Sequence, residues 1–407
     1  MTLTKFFEYT LFYALAIVLA AGGILIAGEM GMRTYYFFSS KQRPLLLPHP
    51  YLGQVRPQSR QFVYSYEENS HDVRVPQRTN SFGLMGKEFS PPKPSNTFRV
   101  LLLGDSFTEG VQVREEEKFS TLLATDLNER LNTGGKRVEV INAGVSGYSP
   151  ISMYLFYKRK LAKLNSDLVI VQLFANDVFE DNRLTATSLL DEEGLPIKLN
   201  AYFVPDPPKS VRDLTFPFEE YSIFNRVREA VLRISRLAEF FYAYQERAAT
   251  KSTYNKSMSA LYEYDSGHQF FICYDGNWAP LETQALRDKV CAQSQKYILG
   301  IRDMASRSGA GFMMFYIPME GQLKREQYSE HVRIYTAKQY SHYWNDRLKE
   351  LSDQYNVAFL DLLPVFQEHE KESLFLDRDG HLTPRGHELV AEELDAFIRH
   401  NGSLIHW

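Results

Sequence analysis

Cysteine is almost missing from this chain of 407 residues, which holds two, Cys273 and Cys291. Two cysteines rule out a disulfide-stapled small scaffold, no Cys/His cluster has zinc-ligand spacing, and neither cysteine lies near the N-terminus, which excludes a lipid-modified leader. In an oxidising compartment the pair could form a bridge; in a reducing one both serve as small apolar groups. Positive charge is not in excess. The 46 basic and 50 acidic residues leave a net charge of −4, and no basic run interleaves with aromatics, so the electrostatic footprint of a nucleic-acid binder is absent. Long apolar runs are scarce, and no internal repeat is evident. One stretch, Tyr9 to Gly28, is free of charge over the ~20 residues needed to cross a bilayer core. The remainder is too polar for a second span.

That stretch reads as an uncleaved membrane anchor over residues 1–33, with a cleavable signal peptide as the rival reading, since Ala20-Ala21-Gly22-Gly23 offers small residues. Lys5 precedes it and Arg33, Lys41 and Arg43 follow, a count that by itself places the large domain in the cytoplasm. Long domains are exported largely regardless of such counts, and a single-pass protein with its domain on the extracytoplasmic, periplasmic side is the expectation. Residues 34–96, rich in proline and arginine, read as a stalk and lead-in. With 44% apolar residues the rest is long enough for one large core and an accessory region.

Five apolar runs have the length and β-rich composition of buried strands: Phe98–Leu103, Val138–Asn142, Leu168–Phe174, Gly311–Ile317 and Val357–Leu360. Helical patterns separate most of them. Phe119, Leu123, Leu127 and Leu131 recur at helical spacing and lay an apolar stripe on one face. The alternation predicts a three-layer α/β/α domain over residues 97–400 with a parallel five-stranded sheet in flavodoxin-like order. Residues 181–278 interrupt it as an insertion. Its first part carries Pro205, Pro207, Pro208 and Pro217. Its second, Asn225 to Ala248, is an amphipathic helix expected to cap the catalytic domain, with a dimerisation or membrane-contacting surface as the alternative, followed by an aromatic cluster from Tyr262 to Trp278.

The sequence Leu101-Leu102-Leu103-Gly104-Asp105-Ser106 breaks an apolar run at a glycine and delivers a serine to a strand-to-helix junction, where ligands gather in open α/β sheets. Downstream, Asp377-Arg378-Asp379-Gly380-His381 sets a histidine beside two carboxylates just before an amphipathic helix. Between them Asn142-Ala143-Gly144-Val145-Ser146-Gly147 and Phe174-Ala175-Asn176-Asp177 each follow an apolar run. In this order the four segments resemble the blocks of the SGNH (GDSL-type) hydrolase superfamily, over residues 97–182 and 308–400. The third block carries Phe174 where glycine is usual, and the last carries Arg378 where the acid often stands.

The resemblance implies Ser106 as nucleophile, His381 as base, and Ser106, Gly147 and Asn176 as oxyanion-hole donors. A serine hydroxyl needs such a base to take its proton during attack, and the base needs an orienting carboxylate. Residues two apart on extended chain project to one side, so Asp379 is favoured as the acid, with Asp377 the alternative. Asp105 is expected to tie down the nucleophile loop, and His387 to be structural. Asp379, His381 and His387 lack the further hard ligands a metal requires, and no cofactor is called for. The expected function is a serine esterase that removes acyl groups, most plainly acetyl, from an extracytoplasmic glycan or glycoconjugate. The alternatives are O-acyl transfer to a cell-envelope polysaccharide through the same acyl-enzyme, a lipid ester substrate, and a non-catalytic factor of an envelope polysaccharide machinery.

Overall fold

The computed structural model describes residues 3–38, 46–49, 51–68, 71–130, 135–199, 284–323, 343–377 and 379–404, with isolated positions at 231, 235, 237, 238 and 241. The chain divides into two units, Met1–Leu45 with Leu214–Tyr254, and Leu46–Asp213 with Asn255–Trp407.

The first unit is built on α1 (Leu3–Phe38). Its segment Phe12–Tyr35 has a mean hydropathy of 1.9 and none of it is buried within the protein, and 24 residues of α-helix rise about 36 Å at ~1.5 Å each. By length and composition this is a helix able to cross a membrane. Glu29, inside that segment, pairs with Arg33 at 2.8 Å and accepts hydrogen bonds from the Ser235 hydroxyl (2.9 Å) and the Leu237 N–H (3.0 Å). The Leu237 side chain lies against Gly28. Of the described positions in the amphipathic segment of the insertion, Ser235 and Leu237 meet α1. Pro205, Pro207, Pro208, Pro217, the aromatic cluster, Leu131, Arg378 and Cys273 lie outside the described residues. Cys291 is a buried free thiol.

The second unit begins with two antiparallel pairs, β1 (Leu47–His49) with β2 (Gly53–Val55), and β3 (Gln61–Glu68) with β4 (His71–Arg78). Then come β5 (Thr97–Gly104), α2 (Ser106–Glu109), α3 (Phe119–Arg130), β6 (Arg137–Gly144), α4 (Pro150–Phe156), β7 (Leu168–Leu173) and α5 (Asp177–Thr187). A small pair, β8 (Leu189–Leu190) and β9 (Pro196–Lys198), precedes α6 (Gln284–Arg307), β10 (Gly311–Tyr316), α7 (Glu320–Leu323), α8 (Tyr343–Tyr355), β11 (Ala358–Asp361), α9 (Leu363–Glu368) and α10 (Pro384–His400).

Five strands form one parallel sheet in the order β11-β10-β7-β5-β6. The five apolar runs are these strands, and the order is the flavodoxin-like one, with its switch point at β5 and β7. Side chains alternate with period two: Leu101, Leu103, Val169 and Val171 enter a core with α4, α6 and α8, whereas Val100, Leu102, Leu168 and Ile170 enter a second core with α3, α9 and α10. Each buried aliphatic contributes about 1.5–3 kcal/mol, so strands covered on both faces read as unbroken apolar runs.

Residues 46–96 are not a free stalk. Leu52, Leu84 and Met85 are buried, as are the polar Arg56, Gln77 and Asn80. The Gln77 amide donates to the carbonyls of Val111 (2.9 Å) and Val113 (2.7 Å), and the buried Lys118 ammonium donates to its Oε1 at 2.9 Å. The lead-in is thereby tied to the segment that follows α2. Its alternation of exposed and covered positions, with polar side chains on both faces, hid it from a reading based on apolar runs.

Candidate active site

Asp105 is the single residue between β5 and α2, and its carboxylate caps that short helix by accepting the Phe107 N–H at 2.8 Å. Gln172 on β7 takes the Asp105 N–H (3.1 Å) and the Thr108 hydroxyl (3.0 Å) on one oxygen. A side chain at Gly104 would collide with Thr108 and Gln172, so only glycine lets helix and strand meet this closely. The expected role of Asp105 as a tie for this loop is what the structure contains. Burial pushes its carboxyl up to about 6, against the Phe107 N–H and the charge of His381.

His381 closes the site from the opposite end of the chain. Its Nε2 lies 2.7 Å from Ser106 Oγ and its Nδ1 lies 2.5 Å from Asp379 Oδ1. The loop carrying it is pinned by hydrogen bonds from Leu376 N–H to the His381 carbonyl (2.8 Å) and from Gly380 N–H to the Leu376 carbonyl (2.9 Å). The Phe107 ring stands 4.8 Å from the imidazole and 4.4 Å from the ring of Phe174, so the phenylalanine at the unusual third-block position supports the histidine indirectly. Of the two candidate acids Asp379 is the one on the imidazole. Asp377 is exposed, and its N–H donates to Glu68 Oε1 at 3.3 Å. Burial disfavours the imidazolium, but the hydrogen bond and charge of Asp379, with the charge of Asp105, outweigh it and hold His381 above its ordinary value. Burial likewise pushes the Asp379 carboxyl up, and the hydrogen bond and charge of His381 reverse this to leave it below the usual range.

Gly147 and Asn176 follow β6 and β7, the two strands that flank β5. Gly104 is the register partner of Gly144, and the Val145 N–H donates to the Gly104 carbonyl at 3.1 Å, so the loops after β5 and β6 leave the sheet side by side. Gly147 has φ +76°, a left-handed value that favours glycine. Asn176 immediately precedes α5, and among the described residues its Oδ1 has no hydrogen-bond partner. Asp177 beside it braces the turn by accepting the Phe174 N–H at 2.7 Å.

Ser146, the competing serine, is bound to Glu109: the carboxylate accepts both its hydroxyl and its N–H, the latter at 3.2 Å. His387 is buried, stacks on Phe119 with ring centroids 5.5 Å apart, and accepts the Phe119 N–H on Nδ1 at 3.3 Å. Burial, with the charges of Lys118 and His381, drives it down to about 3, so it is a neutral packing group. Among the described residues no group of His, Cys, Asp or Glu side chains is placed to hold a metal ion.

Sequence reasoning missed four residues that support this site. The Tyr64 hydroxyl donates to the second Asp379 oxygen at 3.2 Å. Arg56 forms a buried two-point ion pair with Glu109, one arm at 2.6 Å, and Gln54 donates to the Ser146 carbonyl at 2.8 Å. Three of the four lie in the lead-in. Only Glu109 stood inside a recognised block, and its full burial has no local signature.

Two family models match adjoining stretches. The GDSL-like lipase/acylhydrolase family matches residues 102–271, and the SGNH hydrolase-like domain of the acetyltransferase AlgX matches residues 270–406. No curated protein matches the sequence. Among solved structures, a catalytic mutant of the acetylxylan esterase Axe2 from Geobacillus stearothermophilus is 11% identical with a TM-score of 0.38, covering 74% of this chain and 93% of its own. The psychrotrophic esterase EstA from a Pseudoalteromonas species is 11% identical with a TM-score of 0.38, covering 74% and 97%. TesA is 12% identical with a TM-score of 0.38, covering 74% and 98%.

Proposed function

Because this chain belongs to the SGNH (GDSL-type) hydrolase superfamily, we propose that it is a serine enzyme of acyl esters whose substrate is an acetylated glycan or glycoconjugate outside the cytoplasm. The observation that carries the reading is the unbroken line from Ser106 Oγ through His381 to Asp379, at 2.7 and 2.5 Å. Ser106 Oγ attacks the ester carbonyl carbon while Nε2 of His381 takes its proton. Asp379 holds the Nδ1–H tautomer and stabilises the imidazolium. Negative charge on the former carbonyl oxygen is met by the N–H groups of Ser106 and Gly147 and the side-chain amide of Asn176. The bond to the sugar oxygen then breaks, that oxygen takes the proton from His381, and the acetyl group stays on Ser106. Water, deprotonated by the same imidazole, releases acetate.

A second reading has specific support from the match of residues 270–406 to a domain of an acetyltransferase. In it a sugar hydroxyl replaces water and leaves with the acetyl group. In both readings α1 anchors the chain in the cell membrane, and the length and exposed apolar surface of Phe12–Tyr35 support this. One experiment tests the core: the full chain is treated with a serine-directed fluorophosphonate and then with an acetylated oligosaccharide, with and without an acceptor glycan. Labelling lost in Ser106→Ala, with free acetate as product, fits the esterase; acetylated acceptor fits the transferase. Labelling that persists in Ser106→Ala, or never occurs, refutes both and leaves a non-catalytic polysaccharide factor.

A further inference from the structure

The turn that carries Gly147 is gripped by Gln54, from outside the four sequence blocks, and by Glu109, from inside the first. Its ends are joined by the Tyr148 N–H donating to the Val145 carbonyl at 3.0 Å, and Gly147 in third place has φ +76°. A positive φ in third place alone is the pattern of a type II turn. Turns of types I and II differ by a flip of the central peptide plane, here the plane that contains the Ser146 C=O and the Gly147 N–H. Because that unit is planar and trans, its carbonyl and N–H point in opposite directions. Whatever holds the carbonyl therefore aims the N–H.

Gln54 holds it. Its amide donates to the Ser146 carbonyl at 2.8 Å, and its own backbone carbonyl accepts the Tyr148 hydroxyl at 2.7 Å. A Cβ placed at Gly147 would sit 3.1 Å from the same Gln54 nitrogen. On the preceding peptide, the Glu109 carboxylate accepts the Ser146 N–H at 3.2 Å together with the Ser146 hydroxyl, and Arg56 neutralises that carboxylate with side chains 3% and 0% exposed. The turn is thus fastened on both sides of the critical plane, by one amide and one neutralised buried carboxylate.

We propose that Gln54, backed by the Arg56–Glu109 pair, is a positioning residue that locks the Ser146–Gly147 peptide in the orientation presenting the Gly147 N–H to the developing oxyanion. This rests on the reading of Ser106 as nucleophile and of Gly147 as a donor. The lock acts on the transition state and not on ground-state binding, since the donor is aimed at charge that forms only during attack.

The test compares hydrolysis of p-nitrophenyl acetate by the full chain in detergent, parent against Gln54→Leu, Ser146→Ala and the uncharged double variant Arg56→Met/Glu109→Leu, which leaves no lone buried charge. Gln54→Leu is expected to lower kcat by about 10–100-fold with KM within about 3-fold, as misaiming a group by a fraction of its reach does. Its rate of fluorophosphonate labelling should fall in parallel and its melting temperature should stay within a few degrees. Ser146→Ala should show a smaller loss in kcat, and the double variant a loss at least as large as Gln54→Leu. If the double variant does not fold, the two single variants decide. Folded Gln54→Leu with parental kcat overturns the proposal, as does a change confined to KM. Retained turnover in Ser106→Ala would instead overturn the underlying reading, so the two failures are distinguishable.

Discussion

His381 and His387 stand on either side of Pro384, one in a loop and the other in the first turn of α10, and they have been driven in opposite directions. His381 is half-buried, has Asp379 on Nδ1 and is held above its ordinary value. His387 is buried against Phe119, has no carboxylate partner among the described residues, and is pushed down to about 3. The same side chain is paired with a carboxylate in one place and packed as a neutral ring in the other. Position in the chain does not separate them; the partner on the second nitrogen does.

Replacing His381 should break the contrast most. His381→Ala, like Ser106→Ala, is expected to lower kcat/KM for an acetyl ester by about 10⁴-fold or more with an unchanged circular dichroism spectrum, whereas His387→Gln should keep near-parental kcat per folded molecule. Turnover within tenfold of parent in His381→Ala would end the proposed mechanism.

Next in size is the acid. Asp379→Asn should cost about 10³–10⁴-fold in kcat, and Asp377→Asn almost nothing. The parental rate needs neutral His381, so it should fall as pH drops through a value above the ordinary ~6.5 of histidine. In Asp379→Asn the residual rate should keep this form with its midpoint moved to lower pH, since the raising partner is gone. A midpoint that stays or climbs contradicts the assignment.

His387 sharpens the comparison through stability. Its folded value of about 3 lies below the unfolded ~6.5, so the unfolded chain binds more protons in that window and stability falls as pH falls through it, by about 1 kcal/mol per pH unit. Urea melts of His387→Gln between pH 6.5 and 4.5 should show a shallower decline than the parent; identical slopes would sink the point. The smallest effect expected is that of Tyr64→Phe, which removes one donor to Asp379: about a 3–10-fold loss in kcat, consistent with about 1 kcal/mol for a single hydrogen bond.

The legible parts of this molecule are those whose cause is local. The five strands were readable because a strand covered on both faces must be apolar along its whole length, as Val100 to Leu103 and Leu168 to Val171 are. Ser106, Asp379 and His381 were readable because a glycine-broken strand end and a two-residue spacing state their geometry within a few bonds. The lead-in was not readable. Arg56, Tyr64 and Gln77 are ordinary surface residues to any local measure, and their meaning comes from Glu109, Asp379 and Val111, reached only after the sheet has closed.

The chain's own order of residues was enough to specify the parallel α/β layers, the serine at the end of β5 and the histidine loop before α10, because each follows from backbone preference and burial within a short segment. That residues 46–96 pack into the unit that holds Ser106, and how the Ser146–Gly147 peptide is held, were settled by folding alone. The physical reason is distance along the chain. A buried charge such as Glu109 is tolerable only beside its partner, and that partner, Arg56, is brought to it by the packing of another element.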